Sequence, residues 1–145
     1  MRSKIDTASA EFAERAEANL ALGAKVLELQ QRVVSRSQSA EAKFRSRNQL
    51  LPRERLELLF DPGSDQLELS HLAGFRMHDD DGEENVLGGA VIACIGLVEG
   101  VRVMALASDS AIKGGATMPM GLRKYLRAQE IALENRLPVI MLVEA

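Results

Sequence analysis

Two apolar runs in the second half of the sequence, and the turn between them, constrain the fold more than any other feature. The first run is Gly88–Val98 and the second is Val101–Ala107, and only Glu99-Gly100 separates them. Runs of small and β-branched residues joined by a two-residue turn with glycine are typical of an antiparallel hairpin. The glycines within the first run indicate close backbone packing at the hairpin.

The second hairpin strand leads into a crossover unit. A loop over 108–117 is followed by an amphipathic helix over about 119–135 and by a buried apolar strand over 139–143. The spacing predicts an inner helix face made of Leu122, Tyr125, Leu126, Gln129, Ala132 and Leu133. Crossover units pair their strands in parallel, and ligands bind outside the carboxyl ends of such strands. The sequence therefore predicts an α/β fold with a ligand site at this loop.

The first third of the chain is predicted to be helical. Apolar or small residues recur at helical spacing, and Thr7 or Ser9 can supply the first N-cap oxygen. The predicted helices cover residues 8–36, about 40–50 and Arg53–Phe60, and a turn over Asp61–Ser64 ends the third. The predicted organisation is a helical arm over 1–65 and an α/β domain over 66–145.

An acidic segment lies between a short predicted strand, Leu67–Leu69, and the hairpin. It spans residues 71–85, lacks periodicity, and contains His71, His78 and Asp79–Asp81. Consecutive aspartates in an unpatterned segment rarely converge on one ion, and this spacing matches no standard ligand set. A solvated loop is the favoured interpretation, and no metal site is predicted.

Composition limits the class of protein and its compartment. Aromatic residues make up 3% of the 145 residues and the net charge is −3, unlike a general nucleic-acid-binding protein. No apolar stretch approaches the roughly 18–20 residues of a membrane span, and the first residues lack the apolar core of a secretory signal. The single cysteine, Cys94, lies within a strand pattern, where a small core residue is expected, and points to a reducing compartment. We expect a cytoplasmic protein that binds neither nucleic acid nor membrane.

The segment Lys113-Gly114-Gly115 follows a strand and precedes a helix. Glycines in this position let backbone N–H groups face a carbonyl or phosphate oxygen, and a helix N-terminus favours negative charge nearby. Such donors stabilise an enolate or thioester oxyanion without a side-chain nucleophile. The spacing alone also fits a simple turn with a solvated Lys113.

Basic residues are concentrated in the first third of the chain, where residues 1–55 hold eleven Lys and Arg against seven Asp and Glu. The cluster Lys43, Arg45, Arg47, Arg53 and Arg55 fits a phosphate clamp and a solvated helix face equally well. Ser108, Asp109 and Ser110 have no histidine near them in sequence, which argues against a Ser-His-Asp nucleophile. Met118 and Met120 fit either an apolar pocket or core.

Two blocks of sequence carry a family resemblance. They are LLPRERLELLFDPGS at Leu50–Ser64 and the segment Gly88–Ala145, which contains Lys-Gly-Gly and LRAQEIA. Together they resemble the carboxyltransferase β subunits of biotin-dependent acyl-CoA carboxylases, the propionyl-, methylcrotonyl- and geranyl-CoA carboxylase group. The blocks cover about half of the chain.

The resemblance implies an incomplete ClpP/crotonase-like domain preceded by the helical arm. It implies a ligase that moves a carboxyl group from carboxybiotin, held on a separate carrier protein, to the α or vinylogous γ carbon of an acyl-CoA. By motif position, Ile112 and Gly114 would be backbone donors to the thioester enolate. The residues implied to bind substrate or coenzyme A are Lys113, Gly115, Thr117, Met118, Arg47, Arg53 and Arg55. The implied partners are a biotin carboxylase or carrier subunit and further copies of the chain, and no metal is implied.

The sequence departs from the family at two places. The family continues with a Gly-Gly-Ala segment beyond the last strand, whereas this sequence stops at Glu144-Ala145, so we expect little carboxylation by these residues alone. The family often has aromatic residues where this chain has Thr117-Met118, which leaves the acyl chain length open. Two other interpretations remain: a crotonase-like acyl-CoA hydrolase or decarboxylase, and a non-catalytic module that docks a partner through residues 8–36.

Overall fold

The computed structural model describes residues 5–77, 87–116 and 118–144. Its sheet comprises β1 (Leu67–Leu69), β2 (Val91–Val98), β3 (Val101–Ser108) and β4 (Val139–Leu142), in that spatial order. β1 pairs antiparallel with β2, β2 and β3 form an antiparallel hairpin, and β4 pairs parallel with β3. The predicted hairpin and crossover are therefore both confirmed.

The helices are α1 (Ala10–Gln38), α2 (Glu41–Ser46), α3 (Pro52–Leu59) and α4 (Pro119–Glu134). The Ser9 hydroxyl accepts a hydrogen bond from the Phe12 N–H at 3.2 Å, as predicted for an N-cap. Pro52 occupies the first turn of α3, where its missing N–H has no intrahelical partner to lose. Within the described ranges, no helix is long and apolar enough to cross a membrane.

The chain divides into two compact units, Met1–Arg32 and Val33–Ala145, and the predicted domain boundary after residue 65 stays a prediction. The second unit includes the end of α1, because Val33 and Ser37 are buried there. It also includes α3, because Leu56 and Phe60 belong to the core on one face of the sheet. The first unit is the remaining part of α1 with the residues before it.

The two faces of the sheet are covered by different helices. Side chains alternate along β2, so Ile92 and Cys94 pack toward α3 while Ala93 packs toward α4. β3 alternates likewise, with Ala105 on the α3 face and Met104 on the α4 face. The second unit is therefore a three-layer arrangement whose central layer is the sheet.

The face that α4 turns to the sheet differs from the predicted one. Ala128 and Ala132 are buried against the sheet, whereas Leu122, Leu126 and Leu133 are 49%, 51% and 82% exposed. Close approach explains the difference: a Cβ placed on Gly89 would lie 2.8 Å from the Gly121 Cα. This approach turns the face with Gly121, Ala128 and Ala132 inward, so the prediction was wrong for the three leucines and right for Tyr125 and Ala132.

Candidate functional site

The loop between β3 and α4 lies where the carboxyl ends of β3 and β4 meet, since these strands are parallel. Its centre is a tight left-handed turn, in which Lys113, Gly114 and Gly115 have φ values of 44°, 67° and 81°. Glycine adopts such values at little cost, and a β-carbon on Gly115 would also lie 3.3 Å from the Glu144 carbonyl oxygen. The predicted site loop thus stands at the expected edge of the sheet.

The amides of this loop are not all available to a ligand. The Ile112 N–H donates to the Asp109 carbonyl at 2.9 Å, and the Gly115 N–H donates to the Ile112 carbonyl at 2.9 Å. No acceptor among the described residues receives the N–H of Lys113 or of Gly114. Of the two predicted backbone donors, Gly114 is available, whereas Ile112 would first have to break an internal hydrogen bond. Two adjacent unpaired amides in a left-handed turn are suited to bind an oxyanion.

Asp109 organises the beginning of the loop, a role that the sequence analysis missed. Its carboxylate accepts a hydrogen bond from the Ser37 hydroxyl at 3.0 Å and another from the Ala111 N–H. Its own N–H donates to the Ala90 carbonyl at 2.9 Å. The side chain is buried, and this burial raises the pKa of its carboxyl group.

The loop rests on the residues that precede β2. Ala90 and Ile112 are buried together, and the predicted substrate residue Met118 packs against them half-buried. The Lys124 ammonium donates to the Gly88 carbonyl at 3.2 Å, and burial lowers the pKa of Lys124 to about 8. The predicted residue Thr117 lies outside the described residues.

Glu144 connects the loop to α3. Its Oε2 accepts a hydrogen bond from the Ser110 hydroxyl at 2.8 Å and lies 3.2 Å from the Arg55 Nη1. The Arg55 guanidinium, a predicted phosphate ligand, is therefore already paired with a carboxylate. The carboxylate of Glu144, next to the predicted site, is likewise engaged.

The remaining predicted phosphate ligands differ in availability. Both terminal nitrogens of Arg53 donate to the Glu68 carboxylate in a half-buried bidentate pair. Arg45 pairs with Glu41 and Glu54. Arg47 is exposed, and no carboxylate in the described ranges pairs with it. Lys113 is exposed as well. Among the predicted cationic ligands, Arg47 and Lys113 are therefore the two that are free to bind an anion.

The described histidine pairs with a carboxylate, and the cysteine lies in the core. The His71 Nε2 lies 3.0 Å from a Glu68 oxygen, and burial lowers the pKa of His71. Cys94 is buried, which raises the pKa of its thiol to about 12 and confirms its predicted place in the core. His78 and Asp79–Asp81 lie outside the described residues, and the described ones contain no group of three side chains suited to a metal ion.

Comparison with known proteins defines the class of protein to which this fold and loop belong. Residues 43–145 match the model of the carboxyl transferase domain, and the chain belongs to that family. Along its full length it is 41% identical to a probable methylcrotonoyl-CoA carboxylase beta chain from Drosophila melanogaster. Over 75% of its length it is 44% identical to the biotin-dependent 3-methylcrotonyl-coenzyme A carboxylase beta1 subunit of Mycobacterium tuberculosis. It spans 25% and 20% of those two relatives.

The structure agrees with this assignment. The whole chain superposes on 27% of the beta subunit of geranyl-CoA carboxylase from P. aeruginosa with a TM-score of 0.89 and 49% sequence identity. The resemblance stated from the sequence blocks and the crotonase-like fold class that it implied are therefore confirmed. The roles of the individual loop residues stay predictions.

Proposed function

We propose that this chain supplies the thioester-binding loop of an acyl-CoA carboxyltransferase, with the Gly114 N–H as a donor to the enolate oxygen. The observation that carries the proposal is the amide of Gly114, which like that of Lys113 has no acceptor among the described residues and lies at the carboxyl ends of two parallel strands. Preorganised amide donors stabilise developing negative charge more strongly than water does. The exposed Lys113 and Arg47 are the cations assigned to the phosphates of coenzyme A.

The proposed reaction joins an acyl-CoA to the carboxyl group of carboxybiotin. A proton leaves the α carbon, or the γ carbon of an α,β-unsaturated acyl group, and the resulting enolate oxygen is held by the loop. The new carbon–carbon bond forms as the bond between the carboxyl group and the biotin nitrogen breaks, and the proton passes to that nitrogen. The names of the relatives favour a branched, unsaturated acyl group.

The partners in this proposal are those that the resemblance implied. Carboxybiotin arrives on a separate carrier protein, and biotin dependence is part of the name of the mycobacterial relative. Assembly with further copies of the chain and a cytoplasmic location remain predictions.

A hydrolase is less well supported by the geometry. Thioester hydrolysis requires a base that activates water next to the reacting carbonyl. Two described carboxylates that contact the loop are occupied, Asp109 by Ser37 and Ala111, and Glu144 by Ser110 and Arg55. A carboxyltransferase, whose enolate is stabilised by backbone donors alone, fits this arrangement better.

The proposal can be tested on the 145-residue chain by NMR with ¹⁵N-labelled protein. We expect 3-methylcrotonyl-CoA to shift the amide signals of Lys113 and Gly114. The matched control is a thioether analogue of the same ligand, which keeps the coenzyme and the alkyl chain but lacks the carbonyl oxygen. It should leave the Gly114 amide unshifted, although the Lys113 amide can respond to the coenzyme phosphates. Equal shifts of the Gly114 amide with both ligands, or no shift of it with the thioester, would overturn the proposal.

A further inference from the structure

We propose that Asp109 is a positioning residue, which holds the β3–α4 loop in the shape that leaves the Gly114 amide unpaired. The inference rests on the proposed function, because it assigns a purpose to the shape of the thioester-binding loop. Asp109 does not touch the acyl group in this proposal. It acts through the backbone of the residues that follow it.

The contacts of Asp109 use its carboxylate and both of its backbone groups. Its carboxylate accepts from the Ser37 hydroxyl and from the Ala111 N–H, and its carbonyl accepts from the Ile112 N–H. Its N–H donates to the carbonyl of Ala90. One residue therefore joins the end of α1, the segment before β2 and the Ala111 and Ile112 amides of the loop.

This arrangement separates the loop amides into two classes. The N–H groups of Ala111 and Ile112 are consumed by Asp109, and the next two, those of Lys113 and Gly114, are left without a described acceptor. A left-handed turn is costly for a residue with a side chain, and Lys113 has a φ of 44°. The anchoring upstream of Lys113 stabilises that backbone conformation. Loss of the anchor would let the turn relax and would move the Gly114 amide.

The burial of the cluster makes the carboxylate hard to replace. Asp109 is 2% exposed and Ser37 is 1% exposed, so water cannot take over their hydrogen bonds. An asparagine side chain has the same shape and keeps one acceptor oxygen, whereas alanine keeps none. Asp109→Asn is therefore expected to retain part of the anchoring of the loop, and it serves as the conservative variant for comparison with Asp109→Ala.

Asp61 provides a matched control at the other end of the same hairpin. Its two carboxylate oxygens accept from the N–H groups of Glu99 and Gly100 at 2.7 and 2.8 Å. Asp61→Ala thus also removes two carboxylate hydrogen bonds, here to the turn between β2 and β3, and it does not touch the β3–α4 loop. Any effect of general destabilisation should appear in both alanine variants.

The first measurement is amide hydrogen exchange in the full 145-residue chain. Asp109→Ala should accelerate exchange of the Ala111 and Ile112 amides by at least about tenfold relative to amides in β2. Asp61→Ala should leave those two amides unchanged. If Asp109→Ala leaves both as protected as in the parent chain, the inference is overturned, whatever the ligand response.

The second measurement is the affinity for 3-methylcrotonyl-CoA and for its thioether analogue. Asp109→Ala should weaken thioester binding about tenfold and thioether binding little, with Asp109→Asn between Asp109→Ala and the parent chain. Ser37→Ala should produce a smaller loss in the same direction. If the Asp109→Ala chain does not fold, the test is made with Asp109→Asn and Ser37→Ala. The inference is overturned if both variants keep the parent ratio of thioester affinity to thioether affinity. A parent chain that fails to respond to thioester contradicts the proposed function instead, and the exchange experiment still tests the anchoring.

Discussion

Arginines of this chain differ in whether they are free to bind a ligand, because some of them are already paired with a carboxylate. Arg47 and Arg53 stand six positions apart in one basic cluster. Arg53 is half-buried and held by both oxygens of Glu68, whereas Arg47 is exposed. The family resemblance assigned both arginines to coenzyme A. The pairing of Arg53 could not be foreseen, because its carboxylate partner lies on a strand fifteen residues later. A local charge count cannot detect such a partner.

The difference between the two arginines predicts different effects on stability. Arg53→Ala leaves the half-buried Glu68 carboxylate without its bidentate partner, so we expect the free energy of unfolding to fall by about 2–4 kcal/mol. Arg47→Ala should change it by less than about 0.5 kcal/mol. Urea unfolding followed by circular dichroism measures both. A loss for Arg47→Ala as large as that for Arg53→Ala would contradict this division.

Arg47 is instead predicted to affect binding. Arg47→Ala removes an exposed cation assigned to the coenzyme phosphates, so affinity for 3-methylcrotonyl-CoA and for free coenzyme A should fall together, by about threefold to tenfold, and more at low salt. Titration calorimetry at two ionic strengths checks this. A loss confined to the thioester would place Arg47 at the acyl group and not at the phosphates.

At the level of elements, α4 shows how a correct helix prediction can assign the wrong face. Hydropathy at 3.6-residue spacing located the helix to within one residue of its observed end. The leucines, however, point outward, and Ala128 and Ala132 pack on the sheet. Small residues contribute little to a hydropathy pattern. The close approach of Gly121 to Gly89 is a tertiary contact, and no local sequence pattern indicates it. The glycine pattern before β2 was the available hint, and it did indicate close packing.

The contact between α4 and the segment before β2 can be tested with two helical glycines. A Cβ on Gly121 would collide with the Gly89 carbonyl oxygen, whereas one on Gly23 of α1 would meet nothing within 4 Å. Gly121→Ala should lower the free energy of unfolding of the second unit by more than about 2 kcal/mol. Gly23→Ala should raise helix content, with a gain of about 0.5–1 kcal/mol from helix propensity. Thermal unfolding followed by circular dichroism distinguishes the two, and a neutral Gly121→Ala would refute the close approach.

The contact between α3 and the sheet makes a second prediction at this scale. A Cβ on Gly96 would lie 2.6 Å from the ring of Phe60. Gly96→Ala should therefore destabilise the chain by about 1–3 kcal/mol. Phe60→Leu, which shortens the side chain at that point, should reduce the penalty of Gly96→Ala when the two are combined. A double-mutant cycle in urea measures the coupling, and strictly additive effects would count against the contact.

For the whole molecule, the element order and the position of the β3–α4 loop followed from the sequence pattern, whereas the hydrogen bonds that anchor this loop did not. Hairpin, crossover and loop could be placed because turn residues and periodicity are local signals. The bonds from Ser37 to Asp109 and from Arg55 to Glu144 join residues 72 and 89 positions apart. Only the folded chain brings such pairs together, so the residues that shape the loop were not identifiable in advance.

The buried charges give the whole molecule a pH dependence. Lys124 has a pKa of about 8 in the folded chain against 10.5 when exposed, and Glu68, Cys94, Arg53 and Asp109 are the charged or titratable groups around it. Between these pH values the unfolded chain holds one more proton, so stability rises with pH above about 8, by at most about 1.4 kcal/mol per pH unit. Above about pH 9 the Cys94 thiol opposes this, because it ionises in the unfolded chain first.

Lys124→Met isolates the contribution of the lysine. The difference in unfolding free energy between the parent chain and this variant should grow in favour of the parent from about pH 7.5 to about pH 9, by about 1 kcal/mol or more. Urea titrations at several pH values measure it, and both chains contain Cys94. A difference that stays constant with pH would show that Lys124 keeps its ordinary pKa in the folded state.

The buried position of Cys94 has a practical consequence for following this molecule in solution. Its thiol is 4% exposed and remains protonated at neutral pH, so maleimide dyes will not react with it in the folded chain. Cys94 is also the single cysteine of the sequence. Lys113→Cys would therefore create one reactive thiol at the exposed tip of the β3–α4 loop. A fluorophore attached there would report ligand binding at the loop by a change in its emission, and no other residue would carry the dye.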